Sequence, residues 1–334
     1  MLILMFLLLI AGFVILVKGA DIFVEGSAAL ARRFHVPGVL IGLTIVAMGT
    51  SAPELAVSTS AAIQGANEIA LSNVIGSNIF NLLCVLGVCA IIHTLPVDDE
   101  ILKRDFPVSI IATVFLLLTV AGRSFISGRY SSMGMSEPAG TVSRLISGIL
   151  FLGFIIYIGY LIIRSKKHPA KEEQALSDDA AKEKKELPIW KCALFIVLGI
   201  GMIVGGGQAV VYSARAIALA AGMTETLVGL TIVAVGTSLP ELVTSIVAAR
   251  KKETGLAVGN AVGSCIFNLM LILGISSLIH PVEANLASIC DLVILLAISV
   301  LTWVFAGTKK QISRWEGIVL VCIYIADVIF AILR

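Results

Sequence analysis

Shifting the chain by 187 residues aligns LIGLTIVAMGTSAPEL (Leu40 to Leu55) with LVGLTIVAVGTSLPEL (Leu227 to Leu242). The same shift aligns SNVIGSNIFNLLCVLG (Ser72 to Gly87) with GNAVGSCIFNLMLILG (Gly259 to Gly274). No gap is needed, and 26 of the 48 positions from 40 to 87 are identical to their counterparts. Two unrelated apolar helices would not share that much through composition. The chain is an internal duplication, and its two copies must be read together.

Both copies are built for lipid. Of 334 residues, 58% are hydrophobic and 14% charged, against about 45–50% and 25% in an ordinary soluble chain. Lys and Arg number 24 against 22 Asp and Glu, which leaves no basic face for nucleic acid and no acidic tail to solubilise a disordered chain. A span needs about 20 mostly apolar residues. That window gives ten, near 2–30, 38–62, 69–92, 106–122, 144–163, 189–218, 226–249, 255–279, 287–306 and 315–333. Gly, Pro, Ser, Thr and Asn lie well inside several of them, so the expectation is an all-α membrane bundle whose irregular backbone is buried in protein. The alternation of a membrane barrel is absent.

The first apolar run has no basic n-region and continues through Lys18, Asp21 and Glu25, so it reads as a membrane helix and not a cleaved signal. The cysteines at 84, 89, 192, 265, 290 and 322 form no CxxC pair and read as packing residues.

Each copy holds five spans, an odd number, so the second must enter the membrane from the opposite side. The expected fold is ten transmembrane helices as two inverted five-helix repeats, 1–163 and 189–334, joined by a charged linker at 164–188. From Arg164 to Lys191, 14 of 28 residues are charged, with both signs present, which suits a solvated linker and no folded regulatory module. With the N-terminus outside, 18 basic loop residues fall inside and five outside. The positive-inside rule then puts both termini outside and the linker in the cytoplasm, and the expected location is a prokaryotic cytoplasmic membrane. Inverted repeats with interrupted helices are the plan of secondary transporters, with the site near the midplane where the copies meet.

The repeated polar residues define that site. Pro53 lacks an N–H and crowds the carbonyl of Gly49, so a kink with freed carbonyls is expected there, and Pro240 does the same at Gly236. Thr50 and Ser51 share a helical face with Glu54, as Thr237 and Ser238 do with Glu241. The next helix adds Asn73, Ser77 and Asn81, matched by Asn260, Ser264 and Asn268, with Gly76 and Gly263 for close helix approach. This is an oxygen-only set with no repeated His or Cys, suited to calcium or sodium and not to copper, zinc or iron. Ser77 or Asn73 alone would serve equally as an interhelical hydrogen bonder. Glu54 and Glu241 are different, because a carboxylate deep in a span costs several kcal/mol on insertion scales of about 2.5–3.5 kcal/mol per charge.

Charges outside the repeat read as structural. Lys18, Asp21 and Glu25 fall on one helical face and suggest a local ion pair or water-facing stripe. Asp291 and Asp327 read as interfacial, and Asp98, Asp99 and Glu100 as a solvated acidic loop. His35, His93, His168 and His280 lie in loops or at span ends.

GTSAPEL with IGSNIFN, and GTSLPEL with VGSCIFN, resemble the paired α-repeats of the cation/calcium exchanger superfamily, in its sodium/calcium exchanger branch and most like its compact prokaryotic members. The motifs cover residues 38–90 and 225–277. The resemblance implies an antiporter, not an enzyme, that exchanges sodium for calcium by alternating access. It implies a calcium site of Glu54, Glu241 and backbone oxygens of Thr50 and Thr237. Sodium sites would use Ala47, Thr50, Ser51, Ser77 and Glu54 in one copy, with Ala234, Thr237, Ser238, Ser264 and Glu241 in the other. Asn81 and Asn268 would line the centre. No cofactor and no obligatory protein partner are implied. Asn268 stands where potassium-dependent members carry Asp, which leaves a potassium requirement open. A proton/calcium antiporter of the same superfamily and a cation channel remain as alternatives. The absence of HExxH, P-loop and GxSxG motifs speaks against a membrane enzyme.

Overall fold

The computed structural model describes residues 2–34, 36–65, 67–126, 134–135, 137–167, 187–222 and 234–333. Among the described residues, eight helices are long and apolar enough to cross a bilayer: Leu2–Phe34, Ile69–Ile92, Ile101–Gly122, Arg144–Arg164, Ile189–Ala220, Thr254–Ile279, Leu286–Thr308 and Arg314–Leu333. A bent pair, Gly38–Thr50 with Ala52–Ile63, makes a ninth candidate, with 49° between its halves. The span expected near 226–249 begins in 223–233, outside the described residues. Its described part is the short helix Ala234–Thr237 followed by Leu239–Arg250. Most of the linker, 168–186, also lies outside, as do His35, His168 and Arg129.

Below, α1 is Leu2–Phe34, α2 Gly38–Ile41, α3 Ala47–Thr50, α4 Ala52–Ile63, α5 Asn67–Phe80, α6 Leu86–Ile92, α7 Phe106–Ile126 and α8 Arg144–Lys167. In the second half, α9 is Ile189–Ala220, α10 Ala234–Thr237, α11 Leu239–Arg250, α12 Thr254–Ile266, α13 Leu273–Ile279, α14 Leu286–Thr308 and α15 Arg314–Leu333. Widened π-helical turns join α2 to α3 (Gly42–Val46), α5 to α6 (Asn81–Val85) and α12 to α13 (Phe267–Ile272), and a fourth precedes α7 (Ile101–Asp105). The α5–α6 and α12–α13 turns fall at matching repeat positions. Such turns insert one extra residue per turn and concentrate at functional sites.

The motif helices form the centre. In Ile69–Ile92 and Thr254–Ile279, 72% and 78% of the most apolar window is buried, against 17% in α1 and 11% in Arg314–Leu333, which are lipid-facing. Small residues set the central crossing. A Cβ on Gly263 would stand 2.7 Å from Leu43 Cα, and one on Gly42 would stand 2.9 Å from Gly259 Cα, so the backbones of the two copies touch. Gly263 thus serves the close approach read from sequence. The matching neighbour of Gly76 would be Leu230, outside the described residues.

A second glycine seam joins α1 to α9. A Cβ on Gly12 would meet Gly206 O at 3.1 Å, and one on Gly19 would meet Gly199 O at 3.1 Å. Gly12 and Gly199 are counterparts under the 187-residue shift, as are Gly19 and Gly206, so the contacts are reciprocal. Rising numbers along α1 meet falling numbers along α9, which makes the two equivalent helices antiparallel. Between membrane helices no hydrophobic drive exists, and such backbone proximity supplies the packing.

Two short strand ladders, which the hydropathy pattern does not show, repeat the exchange. Strand β1 (Leu95–Pro96) pairs antiparallel with β4 (Gln311–Ile312), and β2 (Pro138–Val142) pairs antiparallel with β3 (Val282–Asn285). Each ladder ties a loop of one copy to a loop of the other.

The glycine seam yields a stability test. Gly19→Val and Gly206→Val each force a side chain into backbone, an overpacking worth about 1–3 kcal/mol. Both should lower the melting midpoint of the detergent-solubilised protein, read by size-exclusion after heating. Gly205→Ala, whose Cβ meets nothing within 4 Å, should leave it unchanged.

Candidate functional site

Two chain breaks build the site. The backbone leaves the helix at Ser51, with φ −83° and ψ 11°, and re-enters as α4 with Pro53 in its first turn and Glu54 directly behind. The second copy does the same at Ser238, with φ −94° and ψ 6°, ahead of Pro240 and Glu241. The break therefore falls two residues after Gly49 and Gly236, the expected points. Ser51 N–H still donates to Ala47 O at 3.0 Å and Leu55 N–H to Ser51 O at 3.1 Å, and between them stands Pro53, which has no N–H to offer. Short helix α3 ends at Thr50, with its carbonyl end, the favourable end for cations, at the break.

A Ser-x-x-Glu sequence at a helix start ordinarily closes on itself, serine to the third N–H and glutamate back to the serine N–H. Neither serine caps its own helix. Ser51 Oγ donates to Glu241 Oε1 at 2.6 Å, and Ser238 Oγ donates to Glu54 Oε1 at 2.9 Å. Ser264 Oγ lies 3.0 Å from Ser51 Oγ, and Ser77 Oγ lies 3.0 Å from Ser238 Oγ. Every one of these contacts has its reciprocal under the 187-residue shift. Each copy thus helps to hold the other's glutamate.

Glu54 and Glu241 are 1% and 0% exposed. On both, Oε2 accepts no hydrogen bond among the described residues, and neither glutamate belongs to an ion pair described there. Asn81 and Asn268 are fully buried. Among the described residues neither the oxygen nor the nitrogen of the Asn81 amide has a partner, and Asn268 Oδ1 has none. The site therefore holds four buried oxygens without donors, two of them on carboxylates, an arrangement costly in a low-dielectric interior unless a cation or protons meet them. Calcium takes 6–8 oxygens and sodium is equally oxygen-seeking, so the donor set fits hard cations.

The remaining expected residues divide. Thr50 Oγ1 donates to Val46 O at 3.1 Å and lies 3.0 Å from Asn260 Oδ1. Thr237 is half-buried at the end of α10. Ala47 is fully buried beside Gly263, while Ala234 opens α10 with its side chain outside the described residues. Asn73 and Asn260 use their amide nitrogens on the neighbouring half-helix, Asn73 Nδ2 donating to Glu54 O at 3.4 Å and Asn260 Nδ2 to Glu241 O at 3.3 Å. Asn73 Nδ2 donates to Ser58 Oγ at 2.9 Å and Asn260 Nδ2 to Ser245 Oγ at 2.9 Å, pinning each broken half-helix to its neighbour. For these two the interhelical bonding role is the one observed.

The charges outside the repeat correct the sequence expectation. Asp21 pairs with Lys251 at 2.7 Å, across from the α11–α12 loop, and not with Lys18 on its own face. Arg32 pairs with Glu253 at 3.1 Å from the same loop. Asp99 and Glu100 are not merely solvated. Asp99 reaches Lys310 at 2.8 Å, and Glu100 reaches Arg104 at 2.8 Å and Arg164 at 2.9 Å. The Lys310 ammonium lowers the Asp99 carboxyl below its usual range. Arg164 thus stands in the last turns of α8, whose helix runs on to Lys167. His93 and His280 end α6 and α13, as expected. All six cysteines are free.

Among the buried polar residues that escaped the sequence reading are Asp105 and Asn78. Asp105, fully buried, accepts from Arg104 Nε at 2.6 Å and from the Tyr157 hydroxyl at 2.9 Å, clamping the start of α7 to α8. Hydropathy counts it with the preceding charged loop. Asn78, fully buried, donates to Cys265 O at 3.2 Å. Its signal was the mismatch of GSNIFN with GSCIFN inside an otherwise matching run.

The site's form is shared with known proteins. The model of the family described as sodium/calcium exchanger protein matches residues 4–163 and 191–333, leaving out the charged linker. The chain is 34% identical over 320 residues to a putative antiporter CaxA of Alkalimonas amylolytica, covering 95% of each chain. It is 33% identical to sodium/calcium exchanger MaX1 of Methanosarcina acetivorans, covering 96% of each. Its fold is similar over the full length of both chains to that of the sodium-calcium exchanger NCX_Mj soaked with 10 mM Na+ and zero Ca2+, with a TM-score of 0.80 at 31% identity. Matched along nearly its whole length, the chain belongs to the sodium/calcium exchanger family, within the cation/calcium exchanger superfamily, and is an integral membrane protein of cation/calcium exchange.

Proposed function

We propose that this protein exchanges sodium for calcium by alternating access, through a site shared by two inverted five-helix repeats, 1–163 and 189–334, joined by the cytoplasmic linker 164–188. The observation that carries the reading is the reciprocal pair of buried glutamates, each with one oxygen held by the other copy's serine and one oxygen without a donor. The antiparallel seam of the equivalent helices α1 and α9 supports inversion. Both termini lie outside, in a cytoplasmic membrane of prokaryotic type.

Calcium is held by Glu54, Glu241 and the backbone oxygens of Thr50 and Thr237. Sodium ions take Ala47, Thr50, Ser51, Ser77 and Glu54 on one side, and Ala234, Thr237, Ser238, Ser264 and Glu241 on the other, with Asn81 and Asn268 lining the centre. Exchange follows from shared ligands. Calcium needs most of these oxygens at once, and filling them with sodium removes its coordination. Helices α1 and α9, lipid-facing and packed chiefly on each other, slide against the rest to open one side and then the other.

Radioactive calcium uptake into sodium-loaded proteoliposomes diluted into sodium-free buffer tests the reading. Uptake from sodium-loaded but not potassium-loaded vesicles is expected. Uptake driven by a pH gradient instead would assign the protein to proton/calcium exchange, and uptake that needs no counter-gradient would assign it to the channels.

Glu54→Gln and Glu241→Gln should each abolish sodium-driven calcium uptake. Neither should lower the melting midpoint in ion-free buffer, because each removes a buried carboxylate that lacks a fixed positive partner. Retained uptake in either variant would overturn the ion site.

Exchange should also carry charge. Two carboxylates neutralise one calcium but leave about one positive charge on three sodium ions by Coulombic counting. A valinomycin-imposed, inside-positive potential should then accelerate calcium uptake by sodium-loaded vesicles, and an inside-negative one should slow it. Uptake indifferent to potential would refute electrogenic exchange.

A further inference from the structure

Asn81 and Asn268 are counterparts, yet they are not held alike. Asn268 Nδ2 donates to Asn78 Oδ1 at 3.0 Å, whereas Asn81 Nδ2 has no partner among the described residues. The difference traces to the residues beside them. Asn78 and Cys265 are themselves counterparts and face one another: Asn78 Nδ2 donates to Cys265 O at 3.2 Å, and Cys265 Sγ lies 3.8 Å from Asn78 O. A backbone carbonyl only accepts. It therefore fixes which end of the Asn78 amide points at Cys265, and the oxygen end must face Asn268. That oxygen in turn selects the nitrogen end of Asn268 and leaves Asn268 Oδ1 directed away, buried and without a donor. Cysteine offers no comparable acceptor, so nothing equivalent orients Asn81.

We propose that Asn78 is a positioning residue that locks the Asn268 amide with its oxygen presented to the transported cation, so that the two halves of the ion site are unequal. Asn268 is a pre-set oxygen ligand. Asn81 is free to turn, offering oxygen to a cation or nitrogen to a carboxylate as the site fills. A fixed ligand spares the cation the work of ordering it, and this is where preorganisation gains affinity. The inference rests on the reading of this site as a calcium site.

Calorimetric titration of the purified full-length protein with calcium tests it without reference to the ion that drives transport. Asn78→Cys reproduces a residue the chain already carries at the equivalent buried position, and Asn78→Ser serves as a second, smaller variant. Each should raise the calcium Kd about three- to tenfold, the range of one lost hydrogen-bonding interaction, with the maximal rate of calcium uptake within about twofold of the unaltered protein. Asn268→Ala should raise the Kd by at least as much. Adding Asn78→Cys to Asn268→Ala should then change nothing further, because the oriented oxygen is already gone. An unchanged Kd in both Asn78 variants, or a further loss in the double variant, would overturn the positioning role and leave the ion site standing. Failure of the unaltered protein to bind calcium would overturn both.

Discussion

The fold turns on a hydrogen bond made to the wrong partner. Ser51 and Ser238 each stand at the start of a helix with Glu three residues on, the arrangement that ordinarily caps its own backbone. Here the proline after each serine breaks the helix, and the two breaks face each other across the crossing of Gly42 and Gly263. The serines reach over and donate to the opposite glutamate. Neither copy can satisfy its own carboxylate in this way, so the site exists only where both meet. Everything that brings the breaks together, from glycine seams to strand ladders, serves that meeting.

Burial makes the arrangement demanding. In lipid a backbone group freed by proline has no water to turn to, and irregular chain survives only inside protein. The most interrupted helices are accordingly the most buried, and the long unbroken ones, α1 and α15, face lipid. Asn73 and Asn260 stitch the broken pieces to their neighbours through Ser58 and Ser245. With Asn73 and Asn260 so occupied, Glu54, Glu241, Asn81 and Asn268 each keep a buried oxygen that has no donor among the described residues. The distinction between stitching and proposed ion binding is therefore one of geometry, among side chains of the same chemical type.

That distinction explains what the sequence could tell. Glu54, Glu241, the prolines and the serines were legible because duplication kept them in identical surroundings and because a carboxylate inside a span is expensive. Asn73 and Ser77 were legible as polar but not by role, since four-residue spacing places both on one face and gives no hint that Asn73 turns back to Ser58. The ladders joining β1 to β4 and β2 to β3 pair segments more than a hundred residues apart, and short strands in loops carry no hydropathy period. Asp21 with Lys251 failed for the same reason. A helical wheel shows Lys18 as the natural partner, and only the packing of α1 beside the α11–α12 loop brings in the other. The π-helical turns depend on an extra residue being accommodated in the helix, which composition does not reveal.

The symmetry that organises the centre stops short of the rim. Arg32 with Glu253, and Asp21 with Lys251, tie α1 to the α11–α12 loop at one end of the bundle. Their counterparts under the 187-residue shift are Leu219 with Ala66, and Gln208 with Gln64, which form no ion pairs by chemistry. Each pair is partly exposed and contributes about 0.2–1 kcal/mol. If the proposed alternating access ran between two states related by perfect two-fold symmetry, their energy difference would be zero, and against that reference even a small term counts. Two such pairs, present at one end and made impossible at the other, tilt the balance by up to about thirtyfold. Under the proposed alternating access, a duplicated core would make the two directions of opening alike, and a few unduplicated charges at its edge would be enough to make them unequal.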